Sequence, residues 1–411
     1  MLFVFEKFFE VVFGDHLDKL REKLRGWPLR RRVALCVLVM LAALAAIRPS
    51  LPVTLWKSGK RLAVAGLEKE DVPLSGHTIT KLDYLIGALG HHLHARFRER
   101  EQLPPSHGDA INGWEIGQFA VALDGLALSG LEPIPRQRFL SLFSASLSED
   151  CGCYRERFSS ELQMDVPHVG ANAWVLYAYG RLGEQPPRSI ISFLIDRQSP
   201  EGSWAMFPLK AESRELGSTY ATAWSTLALH TAVKRKLVPA NLIDDATQSL
   251  NLGLNWLAKS MDAQTWDWDL YPYSKPRQPS SSATALAMFL LSEAQPQLLS
   301  ERAKEAFIGR LPAEVPAPSA ADAYNQDLET PWGMRREAVR LLKLPWLVIG
   351  TAEAYRRASL LERYRLLSFV ERIVEEDSES WIADTRWDFI AAELLISLRH
   401  LRQGYLHLLE S

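Results

Sequence analysis

Residues 188–204 of this 411-residue chain read RSIISFLIDRQSPEGSW. The first half has the spacing of a short apolar helix, and the Ser-Pro-Glu-Gly sequence that follows predicts a turn. Trp204 closes this turn, and eighteen residues later Thr222 lies within TYATAWSTLAL, a second helical pattern that is rich in small residues. The stretch therefore predicts a hairpin of two helices with an aromatic residue at the turn.

The same order of features recurs along the chain. Residues 256–266, WLAKSMDAQTW, are followed after eighteen residues by Thr284 in a helical pattern of small residues. Tyr154 lies eighteen residues before Asn172, which begins NAWVLYAYG. The three aromatic anchors are 50 and 62 residues apart, so the chain contains an internal repeat. A looser copy and an inner helix of an earlier unit are predicted at 369–399 and 113–129.

Helical spacing dominates the chain after residue 62, and clean alternating strands are not apparent there. The helical segments are 113–129, 171–182, 219–235, 283–294, 336–364 and 385–409. A single helical hairpin cannot bury its apolar face, so neighbouring hairpins must stack. Five or six units fit the available length, which predicts an all-α fold: an α/α toroid, with an open solenoid as the alternative.

Composition excludes several classes of protein. The chain is 47% hydrophobic and 23% charged, which supports a large core and excludes general disorder. Its net charge of −2 gives no long-range attraction to nucleic acid, so we expect no nucleic-acid partner. Three cysteines cannot form a disulfide framework. The thirteen tryptophans indicate that large aromatic surfaces are used heavily.

The N-terminal residues 1–62 are predicted to be a separate membrane anchor, followed by the toroid at 63–411. A basic segment, 17–32, precedes fifteen uncharged apolar residues at 33–47. A full membrane span needs about 20 apolar residues, so the segment is predicted to be single-pass or monotopic; a buried soluble helix is the alternative. The basic residues before the run favour an inside N-terminus and an extracytoplasmic toroid.

Six positions of the quoted stretch match the QW repeat of squalene–hopene cyclases. They are Arg188, Phe193, Leu194, Gln198, Gly202 and Trp204. The chain from about 113 to 400 thus resembles the terpenoid cyclase and protein prenyltransferase superfamily. The resemblance implies an α/α toroid with a central cavity for a polyisoprenoid or other lipid. It also implies that Gln198 and Trp204 are structural residues that tie neighbouring hairpins together.

The sequence departs from this family at its catalytic motif. Triterpene cyclases protonate an alkene with an Asp-rich D-x-D-D motif at the start of an inner helix. The corresponding stretches here are SSSA at 280–283 and LGST at 216–219, and neither contains a carboxylate. The absence of these carboxylates weakens the prediction of ordinary cyclisation, so a catalytic acid is expected elsewhere in the chain.

Two pairs of aspartates are the candidate catalytic acids. Asp384 and Asp388 stand before FIAAELLISL, where an inner helix should begin; the alternative is that they cap this helix. Asp267 and Asp269 follow a repeat turn and could donate protons or only solvate the turn. Tryptophans of the predicted inner helices are candidates for substrate binding. These are Trp114, Trp174, Trp224 and Trp387.

A metal site was considered because protein prenyltransferases bind zinc with Asp, Cys and His. Asp150, Cys151, Cys153 and His168 lie close in sequence, but their spacing does not match that ligand set. Cys153 already belongs to a repeat turn. We therefore predict no metal and no cofactor, and leave open whether these four residues bind a metal.

Three functions remain open on the sequence alone. The first is a membrane-associated enzyme that acts on a polyisoprenoid or other lipid in an aromatic-lined cavity. The second is a non-catalytic, membrane-tethered toroid that binds a lipid, a peptide or a partner protein. The third is a glycan-processing enzyme, because polysaccharide lyases and epimerases also use α/α toroids with aromatic platforms. The enzyme interpretation is favoured over the binding protein.

Overall fold

The computed structural model describes residues 76–103, 111–157, 165–207, 217–272, 276–330, 333–376, 381–382 and 387–410. The chain divides into two units: Leu74–Ala358 with Arg365–Ser411, and Met1–Pro73 with Ser359–Tyr364. The predicted anchor at 1–62 lies outside the described residues, so membrane attachment stays a prediction. Among the helices that are described, none combines the length and the apolar character needed to cross a membrane.

The larger unit is built from helices that alternate between two layers. In chain order the helices are α1 (Gly76–Arg100), α2 (Gly113–Leu123), α3 (Arg136–Ser146), α4 (Val169–Leu182), α5 (Arg188–Asp196), α6 (Thr219–Lys234), α7 (Ile243–Ser260), α8 (Ser281–Ala294), α9 (Glu301–Gly309), α10 (Lys343–Tyr355), α11 (Leu360–Glu375) and α12 (Asp388–Glu410). Short 3-10 turns lie at Ala240–Leu242 and Pro296–Leu298.

The even-numbered helices form a closed inner ring. Each packs on the next, from α2 through α4, α6, α8 and α10 to α12, and α12 returns to contact α2. Outer helices pack against this ring: α1 contacts α2 and α12, α3 contacts α2, α5 contacts α4, α7 contacts α6, and α9 contacts α8 and α10. The predicted all-α toroid is therefore confirmed, and the ring is closed where a solenoid would be open.

The two layers differ in the pattern of their apolar residues. Nearly every residue of inner helix α8 is buried, whereas outer helix α5 buries one face, through Ile190, Ile191, Phe193 and Leu194. A helix that is apolar all round must be surrounded by protein, and a helix with one apolar stripe lies at the surface. The sequence thus sorts the helices into layers.

An aromatic tie joins each of three outer helices to the inner helix that follows. The indole N–H of Trp204 donates to the carbonyl of Leu194 in α5 at 2.7 Å, and its backbone N–H donates to Thr222 Oγ1 in α6 at 3.0 Å. Tyr154 makes the same pair of contacts, to the carbonyl of Phe143 and to Asn172 Oδ1. These bonds satisfy polar groups at helix ends that are shielded from water.

The third tie is made by Trp268, and the prediction of Trp266 as the anchor is wrong. Trp268 donates to the carbonyl of Leu257 at 2.8 Å and to Thr284 Oγ1 at 3.1 Å. Trp266 instead has a positive φ of 59° and lies against the guanidinium of Arg302. The chain between outer and inner helix is two residues shorter in this unit, so the buried position shifts by two.

Gln198 links the turn after α5 to the next outer helix. Its amide nitrogen donates to the carbonyls of Gly202 and Ser249, and its oxygen accepts from Ser249 Oγ at 2.7 Å. Gly202 lies so close to α7 that a Cβ would be 2.4 Å from the carbonyl oxygen of Leu252. The quoted stretch therefore fixes both its own hairpin and the neighbouring one.

Two antiparallel strand pairs were not predicted from the sequence. β1 (Arg155–Arg157) pairs with β2 (Asp165–Pro167), and β3 (Ala321–Thr330) pairs with β4 (Gly333–Leu342). The predicted helix at 336–364 was wrong over its first residues, which belong to β4. Val339 and Leu341 are buried at alternate positions there, and the exposed Arg340 lies between them.

We expect Gly202→Ala to destabilise the fold strongly. Gly202 has a φ of 101°, which an alanine rarely adopts, and the added methyl group would collide with the α7 backbone. The free energy of unfolding should fall by roughly 2–4 kcal/mol, measured by urea denaturation. Gly87→Ala is the matched control: it lies in α1 with open space around it and should be neutral or slightly stabilising. Equal effects of the two variants would contradict this account.

Candidate functional site

The inner ring encloses a cavity that opens towards the C-terminal ends of its helices. A narrow part of about 50 Å³ leads into a polar mouth of about 300 Å³, and both are lined by Tyr177, Arg181, Phe289, His400 and Gln403. The narrow part is also lined by Trp174, Trp224, Trp346, Ile349, Glu393 and Arg399. A concave, aromatic site with a few polar groups is the usual form of a small-molecule site.

Aromatic side chains from three inner helices cluster in the narrow part. The ring centroids of Trp174 and Trp224 are 3.8 Å apart, and Trp224 meets Trp346 edge-on at 5.5 Å and Tyr177 at 5.6 Å. The indole N–H groups of Trp174 and Trp224 are buried without a hydrogen-bond partner among the described residues, whereas the indole of Trp346 acts on the carboxyl of Glu393. Indole N–H groups that are buried usually find an acceptor, so the cluster offers donors to a ligand.

Glu393 of α12 is the ionisable group at the centre of this cavity. Only 6% of its surface is exposed, and burial raises the pKa of its carboxyl to about 8 from an ordinary 4.5, although Trp346 and Gln118 favour the charged form. Its Oε1 accepts a hydrogen bond from Gln118 Nε2 at 2.8 Å, while Oε2 has no partner among the described residues. A pKa of about 8 favours the protonated, neutral carboxyl at neutral pH.

A second glutamate in the ring has the opposite shift. Glu353 of α10 hydrogen-bonds His400 Nε2 at 2.8 Å and pairs with Arg356 at 3.3 Å. Burial disfavours its charge, but the hydrogen bond from His400 and the nearby cations outweigh burial and lower the pKa of Glu353. One carboxyl is thus neutral and the other ionised. Glu353 does not itself line the cavity and reaches it through His400, which lines both parts.

His400 lies on the same face of α12 as Glu393. The two residues are seven positions apart, which is two helical turns and about 10 Å along the axis. His400 packs edge-on against Phe289 with centroids 5.2 Å apart, and it lines both the narrow part and the mouth. Because the hydrogen bond to Glu353 uses Nε2, Nδ1 is the ring nitrogen that does not contact this carboxylate.

Asp388, a predicted catalytic acid, lies in an ion-pair cluster inside the wall of the toroid. Its carboxylate pairs with Arg96 at 3.0 Å and with Arg100, which also pairs with Glu115 at 2.9 Å. These contacts tie α1 and α2 to the start of α12. Asp388 does not line the central cavity.

Asp267 and Asp269, the other predicted acids, lie in the loop between α7 and α8. Both are buried: Asp267 pairs with Arg310 and Arg277, and Asp269 pairs with Arg277 at 2.7 Å. The arrangement is that of an ion-pair network that fixes a loop. Neither side chain lines the cavity.

The predicted substrate-binding tryptophans separate into two groups. Trp174 and Trp224 are brought together in the cavity lining, as described above. Trp114 packs on Phe389 at 5.3 Å near the starts of α2 and α12, and Trp387 is 59% exposed. Asp384, the remaining predicted acid, lies outside the described residues. A role of these residues in binding substrate stays a prediction.

The four residues considered for zinc have other partners. Cys151 and Cys153 form a disulfide with each other, Asp150 contacts Ser148 and Arg155, and His168 Nδ1 accepts from the backbone N–H of Ala171 at the start of α4. No group of three or more potential ligands that could hold a metal occurs in the part of the chain that the structure describes.

Glu393 and Glu353 were missed by reasoning from sequence, although a signal for each existed. Glu393 is the lone charge within FIAAELLISL, and Glu353 follows the apolar run WLVIGTA. An inner helix is buried on every side, so an acid inside one is buried too, and buried acids have perturbed pKa values. The aspartates predicted from the sequence stand instead before a helix or after a repeat turn, where capping and ion pairs are common.

Comparisons with known proteins overturn the assignment to the terpenoid cyclase and protein prenyltransferase superfamily. No family model matches the chain, and no curated protein matches it. The chain is similar to a solved structure of a glycoside hydrolase from family 105 of C. acetobutylicum ATCC 824. The two are 13% identical, the match covers 67% of this chain and 94% of that one, and the TM-score is 0.39. The contacts of Gln198 and Trp204 show that these repeat residues pack neighbouring hairpins together.

We expect Glu393→Gln to flatten the dependence of stability on pH. The carboxyl has a pKa of about 8 when folded against an ordinary 4.5. The folded protein therefore binds one more proton between these values, and stability falls as pH rises through them. At pH 8.5 the variant should melt at least about 2 °C above the unmodified protein, and the difference should vanish near pH 4. Parallel melting curves from pH 4 to 9 would contradict the assignment; Glu305→Gln, on the exposed face of α9, is the control.

Proposed function

We propose that the protein is a carbohydrate-processing enzyme that cleaves a glycosidic bond in its central cavity. The observation that carries the proposal is Glu393: a buried carboxylic acid, neutral at pH 7, with an uncommitted oxygen beside a cluster of aromatic rings. Glycosidic bonds break when the leaving oxygen is protonated, and a carboxyl with a raised pKa is the usual donor.

The partner of this acid is His400, held by Glu353. In hydrolysis the proton on Glu393 passes to the glycosidic oxygen as the bond from the anomeric carbon to that oxygen breaks. A water molecule supplies the new bond to the anomeric carbon and gives its proton to His400. A separation of two helical turns leaves space for substrate and water between the two groups. The negative charge of Glu353 stabilises the imidazolium that results.

The lining of the cavity favours a saccharide over a lipid. Indole and phenol rings offer flat apolar faces for the C–H faces of a sugar, while unpaired indole N–H groups, His230 and Gln403 offer hydrogen bonds to its hydroxyls. The mouth carries charged side chains from α4, α6 and α8: Arg181, Lys234 and Glu293. A polyisoprenoid would leave these groups desolvated and unpaired, which is unfavourable.

Glu393→Gln should abolish glycan cleavage. The amide cannot donate a proton of comparable acidity, so the rate should fall by about 10²–10⁴-fold while binding is retained. The measurement is release of reducing ends from a panel of neutral and acidic oligosaccharides, with Glu305→Gln as the matched control. If no oligosaccharide is cleaved by the unmodified protein, or if the variant is fully active, the proposal fails; binding without turnover would indicate a non-catalytic binding protein.

Gln118→Leu should move the alkaline limb of the pH–rate profile to higher pH. Activity is expected to fall as Glu393 loses its proton near its pKa of about 8. Gln118 donates to Glu393 Oε1 and favours the charged form, so its loss should raise this pKa by about half a unit or more. Ser225→Ala, which removes a buried hydroxyl without a partner from α6, should leave the limb in place. If the alkaline limb of the Gln118→Leu variant is not shifted, this limb does not report the loss of the proton from Glu393.

A further inference from the structure

The mouth of the cavity is strongly cationic although the chain as a whole has a net charge of −2. The basic residues that line the cavity and its mouth are Arg181, Lys234, Arg235, Arg356 and Arg399, and the acidic lining residues are Glu293 and the buried Glu393. A cleft lined by one sign of charge concentrates ligands of the opposite sign. The cavity is therefore suited to an anion.

Two of these cations are compensated by neighbours. Lys234 lies 3.8 Å from Glu293, and Arg356 pairs with Glu353. Three of the five, Arg181, Arg235 and Arg399, have no such pair among the described residues. Arg181 and Arg399 line the narrow part of the cavity, whereas Arg235 lines only the mouth.

Arg399 is anchored by the protein but is not neutralised by it. One of its guanidinium nitrogens donates to the backbone carbonyl of Asp124 at 3.0 Å, and the other donates to the carbonyls of Val121 and Ala122. These bonds fix the guanidinium at the C-terminal end of α2. Burial, followed by the charge of Arg181, lowers the pKa of Arg399.

The nearest carboxylate is already used elsewhere. Asp124 forms a two-point ion pair with Arg136 of outer helix α3, at 2.9 and 3.2 Å. Among the described residues, no carboxylate lies within ion-pair distance of Arg181 or Arg399. Two guanidinium groups thus face one cavity with their charges unbalanced, an arrangement that an anion would stabilise.

We propose that Arg181 and Arg399 bind the anionic group of an acidic saccharide, a uronate carboxylate or a sulfate ester, where the narrow part of the cavity meets its mouth. This inference rests on the proposed function, because the same cavity would hold the saccharide. Arg399 follows Glu393 by six residues on α12, about 9 Å along the helix axis. An anion at the arginines would therefore place the rest of the sugar over the aromatic rings and Glu393.

Binding of anions to the full chain tests the proposed anion site at Arg181 and Arg399, which we call the anion seat, independently of catalysis. The melting temperature is measured in sodium sulfate against sodium chloride at equal ionic strength, and binding of trigalacturonate, a sulfated oligosaccharide and neutral cellotriose is measured by calorimetry. We expect a sulfate-dependent rise in melting temperature, and binding of at least one acidic oligosaccharide at least ten times tighter than that of cellotriose. Arg181→Gln should lose both effects. Arg138→Gln, at an exposed position of α3, is the control and should keep them.

The outcomes separate the two proposals. Acidic saccharide that binds through Arg181 but is never cleaved would support the anion seat and overturn the proposed enzyme. Sulfate binding without binding of any saccharide would overturn the acidic saccharide as ligand. Equal affinity for acidic and neutral saccharides, or an Arg181→Gln variant that binds as the unmodified protein does, would overturn the seat while leaving glycan cleavage by Glu393 intact.

Discussion

The helices of the inner ring begin where water cannot reach them, and this constraint governs the fold. Every helix leaves N–H and carbonyl groups at its ends that require partners. The aromatic ties at Tyr154, Trp204 and Trp268 supply such partners, because each joins a carbonyl of an outer helix to a first-turn side chain of the next inner helix. The need for hydrogen-bond partners at helix ends, together with apolar packing, thus sets the repeat and the position of each hairpin.

The ring closes where α2 meets α12, and the candidate site is built into that closing contact. Polar links join the two helices at three levels: the Arg100 ion pairs to Glu115 and Asp388, the bond from Gln118 to Glu393, and the bonds from Arg399 to the end of α2. The middle link positions the proposed acid and the last positions the proposed anion seat. The groups that complete the architecture are therefore the groups that we assign to chemistry.

The sequence predicted the scaffold better than the site, for a physical reason. The turn residues and helical periodicity of 188–204 act locally, so the hairpins and their closure into a toroid could be predicted. Trp266 was chosen over Trp268 because a spacing does not show which of two neighbouring indoles is buried. Glu393 has a raised pKa because the closed ring buries it, and Gln118, which contacts its carboxyl, lies 275 positions away. The apolar pattern around Glu393 indicates burial, but it does not show which side chains surround the carboxyl. Gln198 and Trp204 match residues of the cyclase repeat, and their contacts here are packing contacts between neighbouring hairpins.

The burial of Glu393 also couples folding to protons. In the unfolded chain this glutamate is ionised at neutral pH, whereas in the closed ring its pKa is about 8 and it is protonated. Its burial depends on the contact between α2 and α12, in which Gln118 and Glu393 are 275 residues apart, and contacts of such long sequence separation are slow to form. Completion of the ring at neutral pH thus consumes one proton from solvent, and the mature fold carries that proton in the cavity as a consequence of its own assembly.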